Sequence, residues 1–558
     1  MSKKGFLALL IGSAVVLGVL MEVPQWLYSI HPLSQGVLVQ LNSDEDLYLS
    51  RVMEALEGRP EQAAEAITGN PAVVPLQGAW VEEWEGRLFS WTSLSAAEVF
   101  QILDFIVPAL LFLTLFWFLR LAGFDRWTAY AGAVLFSLLE LYSLNRPVHQ
   151  RESFLLMLLA LACILEGLRS KRQFGVIGGV ILGLLVGVYF WSWTFAWTFC
   201  ALLLLWEGTM WALEKKYHPL RFFPRLLALF HRVVPPANNF LWMLCFLAVG
   251  VLAAIPAVLQ LSAASMHPLA ALARERMEFL PSHAPESWLR SGLFLLQLVG
   301  IAGATISAPH FRKHSKILII FIASAFIVLN QQVFHGVTFL FSSHYLFSLV
   351  LAGVMTFLTS VIFWKESKWL LLSLVASMIF LGGIAYDGRH VLGHFVIDTE
   401  RFSEQHFATL LPALEHLPRA TILSDAASMQ FVASHTRHDV PYSIRLHYML
   451  ISGEAFAERY CLAKLPLSPL EWRIEEEPML IYDRGILRLD PSLREQELTL
   501  VEETCKRMTI DPYTFLKKYG VQYILWDTRR QPGWNVKRFK IRLQDQERGA
   551  EWIMYKIL

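Results

Sequence analysis

The stretch Asn42-Ser43-Asp44-Glu45-Asp46-Leu47-Tyr48-Leu49-Ser50-Arg51 follows the first apolar segment of the chain and opens a long polar loop. Three adjacent carboxylates repel one another and lower stability unless a metal cation or a basic group compensates them. The alternative is an ordinary solvated acidic loop. Apolar segments on both sides would hold this loop at a membrane face, which favours the functional interpretation.

The composition is that of a membrane protein. Apolar residues make up 55% of the 558 residues, charged residues make up 17%, and the mean hydropathy is +0.44. A soluble chain could not bury this much apolar surface. The sequence therefore predicts a polytopic α-helical membrane protein with about 11 transmembrane helices. The predicted segments are 5–22, 99–121, 127–143, 153–168, 174–190, 193–212, 239–262, 290–308, 316–332, 344–363 and 368–386.

The basic residues of the loops predict the orientation. Lys3 and Lys4 precede the first segment, and every second loop after it carries more Lys and Arg for its length than the loops between. Because basic loops stay in the cytoplasm, we expect a cytoplasmic N-terminus and an extracytoplasmic C-terminal part, as in a bacterial inner (plasma) membrane protein. No convincing small-residue cleavage site follows the first segment, so it is predicted to remain as an anchor.

Near residue 388 the composition changes to that of a soluble domain. The pattern alternates between strand and helix, which favours a small α/β fold. We therefore predict a transmembrane domain at 1–387, with a long first outer loop at 23–98, and an extracytoplasmic α/β domain at 388–558. Apolar strand faces predict that this domain packs over the outer loops, where it would select the acceptor. The clearest elements are strands at 420–425 and 521–526 and a helix at 513–520.

Charge and cysteine usage narrow the function further. The net charge of +1 leaves no broad basic surface for phosphates, which argues against a nucleic-acid partner. Cys461 and Cys505 both lie in the predicted outer domain, where a disulfide is possible if the compartment is oxidising. No spacing of Cys and His suggests a zinc site.

The other outer loops also carry polar side chains that can do chemistry. The short loop from Asn145 to Glu152 packs several polar or ionisable residues at the mouth of two apolar segments, where they are costly, so a functional role is the default interpretation. Interfacial anchoring is the alternative. The loop at 263–289 adds Glu275 and Glu278. The next loop holds amides, imidazoles and a phenol, which could bind a sugar or a diphosphate or could merely cap helices: Gln332, His335, His344 and Tyr345.

Together these features resemble the GT-C superfamily of polyprenyl-phosphate-dependent glycosyltransferases, above all oligosaccharyltransferase catalytic subunits and uncharacterised bacterial membrane proteins of this type. Asp44–Tyr48 with Arg51 matches the acidic first-loop motif of the family. Asn145-Arg146 followed by Glu152 is similar to the second-loop motif, with glutamate in place of aspartate. Lys518–Ile524 is similar to the start of a strand near the C-terminus of such chains.

The resemblance implies transfer of a sugar or oligosaccharide from a polyprenyl-phosphate-linked donor to a protein or glycan acceptor at the outer membrane face. It implies Asp44 or Asp46 as catalytic base or metal ligand, with Glu152 and Glu275 completing a site for Mg²⁺ or Mn²⁺. The Trp-Trp-Asp acceptor motif of oligosaccharyltransferases is absent, which argues against transfer to Asn sequons. Substrate contacts would come from Tyr48, Arg51, Asn145, Arg146, His149, Arg151, Gln332, His335, His344 and Tyr345.

Two other classes of function remain open at this point. A transporter places ionisable residues at mid-membrane, whereas here the apolar segments are nearly free of charge apart from Asp104 and Glu140. Polar residues at the segment ends favour a reaction at the surface. A catalytically silent scaffold that binds a lipid-linked sugar or a partner protein would show the same pattern, because a fold can persist without its activity.

Overall fold

The computed structural model describes most of the chain. The described residues are 1–41, 45–59, 65–70, 73, 78–141, 143–145, 149–216, 238–276, 279–285, 287–308, 311–339, 342–388, 396–467, 473–477, 480–482, 487 and 490–558. The chain forms two compact units. The helical unit comprises Met1–Glu22, Asp104–Leu259 and Pro281–Phe395, and the α/β unit comprises Val23–Leu103, Gln260–Leu280 and Val396–Leu558.

Helices dominate the chain up to residue 388, and two short strands, β1 (Phe279–Pro281) and β2 (Val337–Phe339), lie among them. The helices are α1 (Lys3–Ser29), α2 (Glu45–Leu56), α3 (Glu65–Thr68), α4 (Trp80–Phe89), α5 (Ala96–Leu121), α6 (Arg126–Leu139), α7 (His149–Arg169), α8 (Arg172–Leu184), α9 (Phe190–Lys216), α10 (Asn238–Met266), α11 (Ala270–Arg276), α12 (Trp288–Ser307), α13 (Arg312–Leu329), α14 (Gln331–His335), α15 (Leu346–Phe363) and α16 (Trp369–Gly388).

Each apolar segment predicted from the sequence coincides with one of these helices. Within the described residues, seven helices are long and apolar enough to cross a membrane, namely α1, α5, α9, α10, α12, α15 and α16. Two shorter apolar helices are α8 and α13. The protein is therefore an integral membrane protein with a mainly helical fold, and the number of eleven crossings stays a prediction.

Small residues allow close helix packing in the helical unit. A Cβ atom added to Gly183 of α8 would lie 2.3 Å from the carbonyl oxygen of Gly250 in α10. One added to Gly175 would lie 2.0 Å from the ring of Phe246. A larger residue at either glycine would push α8 and α10 apart, which is the usual reason for small residues between membrane helices.

The α/β unit contains a four-stranded mixed sheet with the order β3-β4-β6-β5. Strands β3 and β4 run parallel, with Ile422 opposite Tyr523, and the other two pairs run antiparallel. The predicted strands and helix are present, and Gly520, with φ of +63°, ends the helix before β4. The elements are α17 (Leu411–His416), β3 (Thr421–Leu423), α18 (Ala426–His435), α19 (Gly453–Lys464), α20 (Ser492–Ile510), α21 (Pro512–Lys518), β4 (Val521–Asp527), β5 (Leu543–Arg548) and β6 (Trp552–Ile557).

The first outer loop packs within the α/β unit. The Gln405 side chain accepts a hydrogen bond from the backbone nitrogen of Gln35 at 2.7 Å and donates one to the carbonyl of Val37 at 2.7 Å. Arg59 of the loop pairs with Asp439 at 2.7 Å. The predicted contact between the C-terminal domain and the first outer loop is therefore present. The first outer loop and the C-terminal segment belong to the same compact unit. The sequence had instead predicted a domain boundary at residue 387.

A disulfide joins Cys461 of α19 to Cys505 of α20, with a Cα–Cα distance of 5.2 Å across a sequence separation of 44 residues. The sequence had indicated this pair as possible. Among the other cysteines, Cys163 and Cys200 are buried and Cys245 is exposed, and all three are free. The bond therefore ties together two helices of the α/β unit.

Candidate functional site

Asp46 lies in the first turn of α2 and is 6% exposed. Arg445 donates to both of its carboxylate oxygens, from Nη2 to Oδ1 at 3.0 Å and from Nε to Oδ2 at 3.3 Å. The backbone nitrogen of Leu47 donates to Oδ1 at 2.6 Å. A negative charge at a helix N-terminus is favourable, and the forked guanidinium compensates it. Sequence reasoning missed Arg445, which lies 399 positions away, and no local pattern marks it.

The remaining members of the acidic motif have separate surroundings. Asp44 lies outside the described residues. The Oε2 atom of Glu45 accepts a hydrogen bond from the backbone nitrogen of Leu41 at 3.1 Å. Tyr48 is 8% exposed. Glu45 therefore shapes the turn that leads into α2, and the motif as described is a packed helix start.

Arg51, which the sequence analysis placed with the acidic motif, forms its described ion pair with a different helix. Its Nη1 atom pairs at 3.0 Å with Oε1 of Glu82 in α4, and both side chains are almost completely buried. Helices α2 and α4 approach closely here, since a Cβ atom added to Gly86 would lie 2.3 Å from the Cβ of Ala55. The described contacts of Arg51 join α2 to α4, and its role in substrate binding stays a prediction.

The carboxyl group of Glu404 interacts electrostatically with Asp46. Burial raises the pKa of Glu404; the nearby Arg530 guanidinium opposes that rise, and the negative charge of Asp46 adds to it. Glu404 is therefore close enough to Asp46 and to Arg530 to interact electrostatically with each of them. Glu404, Arg445 and Arg530 were not candidates from the sequence.

Glu275, the predicted third-loop metal ligand, is exposed on α11. Its neighbour Arg276 is 0% exposed and donates to the carbonyl of Ile451 at 2.9 Å. The buried member of this loop is thus the arginine, which fastens α11 to the C-terminal segment. Glu278 lies outside the described residues.

The second-loop motif lies in the helical unit, where Arg151 is the centre of a charged cluster. Arg151 is 1% exposed and donates to Oε1 of Glu152 from Nη2 at 2.6 Å and from Nε at 2.8 Å. Its Nη1 atom also binds Asp104 of α5 and the carbonyl of Leu144, the latter at 3.1 Å. Two carboxylates therefore share one guanidinium. The Oε2 atom of Glu152 is buried and has no hydrogen-bond partner among the described residues.

Polar and aromatic side chains continue from this cluster to the start of α9. Ser153 beside Glu152 shares a 2.8 Å hydrogen bond with Ser192. The neighbouring Trp191 ring lies 4.6 Å from the ring of His344, which is hydrogen-bonded to the hydroxyl of Tyr189. The structure therefore places His344 in the same unit as Arg151 and Glu152, reached through a chain of polar contacts.

Tyr345 extends this polar region. Its hydroxyl lies 2.7 Å from Oγ1 of Thr194 and accepts a hydrogen bond from Nε2 of Gln331 at 3.1 Å. The sequence analysis did not select Gln331, although it precedes the selected Gln332. The sequence signal that could have pointed to Gln331 is the presence of polar residues at consecutive helix ends.

Other predicted residues of the helical unit lie apart from this region or cannot be placed. Gln332 is buried and donates to the carbonyl of Leu329 at 3.1 Å, which is a capping contact. His335 is exposed, and its Nδ1 accepts from the backbone nitrogen of Val337 at 3.2 Å. Arg146 and the side chains of Asn145 and His149 lie outside the described part of the chain.

The described residues do not by themselves fit a divalent cation. Among them, no group of three or more His, Cys, Asp or Glu side chains converges as a metal site. Oxygen-rich coordination of Mg²⁺ or Mn²⁺ needs such convergence or several waters. The predicted ligands Asp46 and Glu152 also belong to different compact units. The metal site therefore stays a prediction that depends on Asp44.

Comparison with known proteins gives structural matches only. No protein-family model matches the chain, and no curated protein sequence matches it. An oligosaccharyltransferase from Archaeoglobus fulgidus in its apo form is similar at a TM-score of 0.46 and 14% identity, over 95% of this chain and 70% of that one. ArnT from Cupriavidus metallidurans bound to undecaprenyl phosphate is similar at 0.36 and 11% identity, over 100% and 98%.

Because these TM-scores and identities are low, no residue role in this chain is transferred from those structures. The placement of each side chain rests on the contacts described above.

Proposed function

We propose that this protein is a glycosyltransferase that moves a sugar or oligosaccharide from a polyprenyl-phosphate-linked donor to a protein or glycan acceptor at the outer membrane face. The observation that carries the proposal is the Asp104–Arg151–Glu152 cluster. Placing two carboxylates and a fully buried arginine beside membrane-length helices lowers stability. Ionisable groups that persist in such places usually have a function.

Glu152 is the described residue best suited to act as the base. Arg151 binds one oxygen of Glu152 and so orients the carboxylate, while the other oxygen has no partner among the described residues. In the proposed step, the acceptor hydroxyl or amide passes its proton to Oε2 of Glu152. The acceptor atom bonds to the anomeric carbon of the sugar as the bond from that carbon to the phosphate oxygen breaks, and the lipid phosphate leaves with the electron pair.

The other candidates take supporting roles in this proposal. His344 and Tyr345 are proposed to form hydrogen bonds to the sugar or the departing phosphate, since imidazole and phenol groups can donate and accept. Asp44 and Asp46 remain predicted catalytic or metal-binding residues. Both oxygens of Asp46 accept hydrogen bonds from Arg445, whereas Oε2 of Glu152 has no partner among the described residues, so Glu152 is the better placed of the two to accept a proton.

We infer that the α/β unit faces the extracytoplasmic side. This unit contains the end of α1, the start of α5, the end of α10 and the chain after α16, all of which the basic-residue pattern assigns to that side. The Cys461–Cys505 disulfide supports the same side, because disulfides persist in oxidising compartments. A reporter fused after Leu558 should be active only outside the cytoplasm, and activity inside would reject this orientation.

The central test compares two Glu→Gln variants on α7. Membranes holding the protein are supplied with undecaprenyl-phosphate-linked radiolabelled sugars, and transfer of label to acceptors is measured. Glu152→Gln keeps an acceptor oxygen for Arg151 but removes the base, so transfer should fall at least about a hundredfold. Glu166→Gln is the matched control, because the only side-chain hydrogen bond of Glu166 among the described residues is the one it accepts from Ser170. It should retain full transfer.

Equal transfer by the Glu152→Gln protein and the wild type would reject Glu152 as the base. Absence of transfer with every tested donor, together with saturable binding of undecaprenyl phosphate, would favour the silent scaffold. Thermal unfolding of each variant separates loss of chemistry from loss of fold.

A divalent cation is proposed only as the partner of Asp44. Mn²⁺ binding measured by electron paramagnetic resonance should be lost in Asp44→Asn. Unchanged binding, or no binding in the wild type, would remove the cation from the proposal without affecting the role of Glu152.

A further inference from the structure

Helix α4 has one packed face and one exposed apolar face. Its packed face presents Glu82 and Gly86 to α2. On the other side Trp84 is 38% exposed and Leu88 is 64% exposed, and Trp91, just beyond the helix end, is 82% exposed. These three positions are spaced by four and three residues, so they lie along one side of the helix. We call them the α4 apolar stripe.

A stripe of two tryptophans and a leucine is unfavourable in water and marks a surface that contacts another apolar phase. Arg87 is also exposed, within one residue of the stripe. Tryptophan combined with a basic residue is typical of the boundary between lipid headgroups and acyl chains, where the ring is apolar and its N–H meets water.

Chain connectivity places α4 beside helices of membrane-spanning length. Helix α5 begins at Ala96, and five residues of chain after Trp91 can span at most about 18 Å. At the other end of α4, the Trp80 indole nitrogen donates to the side chain of Gln260 in α10 at 2.8 Å. Both α5 and α10 are long and apolar enough to cross a bilayer. Two tethers therefore hold α4 near helix ends that must meet a membrane surface.

We propose that α4 lies flat in the membrane interface, with the α4 apolar stripe inserted at the boundary between headgroups and acyl chains. The occupant of this surface is the lipid bilayer of the protein's own membrane. The proposal does not depend on the enzymatic activity.

The membrane contact of α4 would also position the acidic motif, and this role rests on the proposed function. The Arg51–Glu82 ion pair and the close approach of Gly86 to Ala55 join α2 to α4. Asp46 stands at the start of α2. Anchoring α4 at the interface would therefore hold Asp46, through α2, at a fixed height relative to the bilayer surface. Trp84, Leu88 and Trp91 are then positioning residues.

The membrane contact is tested with spin labels in the full-length protein in phospholipid vesicles. The background carries Cys245→Ser, which removes the exposed free thiol. A label at Leu88→Cys should collide more with oxygen, which concentrates in the bilayer, than with a water-soluble nickel chelate. The matched control is Gln546→Cys, on the polar and exposed strand β5, where the nickel chelate should dominate.

Two results would overturn the membrane contact. One is a Leu88 label with the same nickel accessibility as the Gln546 label, which would place the stripe in water. The other is a Leu88 label that neither reagent reaches, which would indicate a protein partner. A disulfide that still forms between Cys461 and Cys505 confirms that each variant folds.

The positioning role is tested by replacing Trp84, Leu88 and Trp91 together with Gln. We expect sugar transfer to fall at least about tenfold with little change in thermal unfolding, while Ile510→Gln, an exposed apolar control, leaves transfer unchanged. Normal transfer in the triple variant would reject the positioning role. It would not affect the membrane contact, which the spin labels test separately. Failure of the proposed function would instead appear as no transfer in the wild type.

Discussion

The two compact units differ in how many carboxylates share each buried arginine. In the α/β unit, Asp46 has Arg445 and Glu82 has Arg51, so these described pairs are balanced one to one. In the helical unit, Asp104 and Glu152 share Arg151, so two carboxylates meet one guanidinium in the described contacts. Balanced pairs can be explained by packing, whereas an excess charge costs stability and calls for a function. This difference favours the helical-unit cluster over the described part of the acidic motif as the place of the proposed chemistry.

The largest expected effect is on the helical unit. Arg151→Met leaves the buried Glu152 and the half-buried Asp104 without their cation, so we expect a loss of about 3–5 kcal/mol. Thermal unfolding in detergent would show it as a large decrease in Tm. Arg290→Met, in the same unit, removes a half-buried arginine for which no ion pair is seen among the described residues, and should change Tm little. Equal small decreases would mean that the two carboxylates are not charged together.

Removal of the disulfide should have the next largest effect and should be confined to the α/β unit. The double variant Cys461→Ser with Cys505→Ser loses a cross-link over 44 positions, worth about 2–4 kcal/mol. The measurement is the protease resistance of the C-terminal segment. Cys245→Ser serves as control, since that thiol is free and exposed. Unaltered resistance in the double variant would show that ion pairs and packing suffice to hold this unit.

A smaller loss is expected from breaking the pair at the acidic motif. Arg445→Ala leaves Asp46 buried without its guanidinium, and we expect about 1–3 kcal/mol of destabilisation. Adding Asp46→Asn to the same protein should restore part of that loss, because the uncompensated charge is removed. If the two changes are strictly additive in unfolding experiments, Asp46 has another compensating group, such as a cation.

The smallest effect concerns pH. Burial lowers the pKa of His435 in the α/β unit from 6.5 to about 4, although contacts with the carbonyls of Phe431 and Leu38 oppose the shift. The unfolded chain takes up this proton below pH 6.5 while the folded chain does not, so stability is complete above 6.5 and falls as pH decreases towards 4. His435→Gln should flatten this part of the stability profile. His416→Gln, at an exposed position, should leave it as in the wild type.

The sequence predicted most of the local structure. Apolar runs located the helices because a membrane-length helix must be apolar throughout its length, and the alternation near 420 and 521 located two strands. It also selected Arg151, Glu152, His344 and Tyr345 together with the Cys461–Cys505 pair. These features can be recognised because their residue type differs from that of the surrounding sequence. Examples are a charge at the end of an apolar run and two cysteines in a soluble segment.

Only the tertiary structure decided which charges meet. Asp46 is joined to Arg445, and Arg51 is joined to Glu82. The packing of the first outer loop against the C-terminal segment brings these side chains together. Helix and strand periodicity depends on neighbours a few residues away and is legible in the sequence. An ion pair between positions 399 residues apart depends on how the chain folds back on itself, and no local pattern records it.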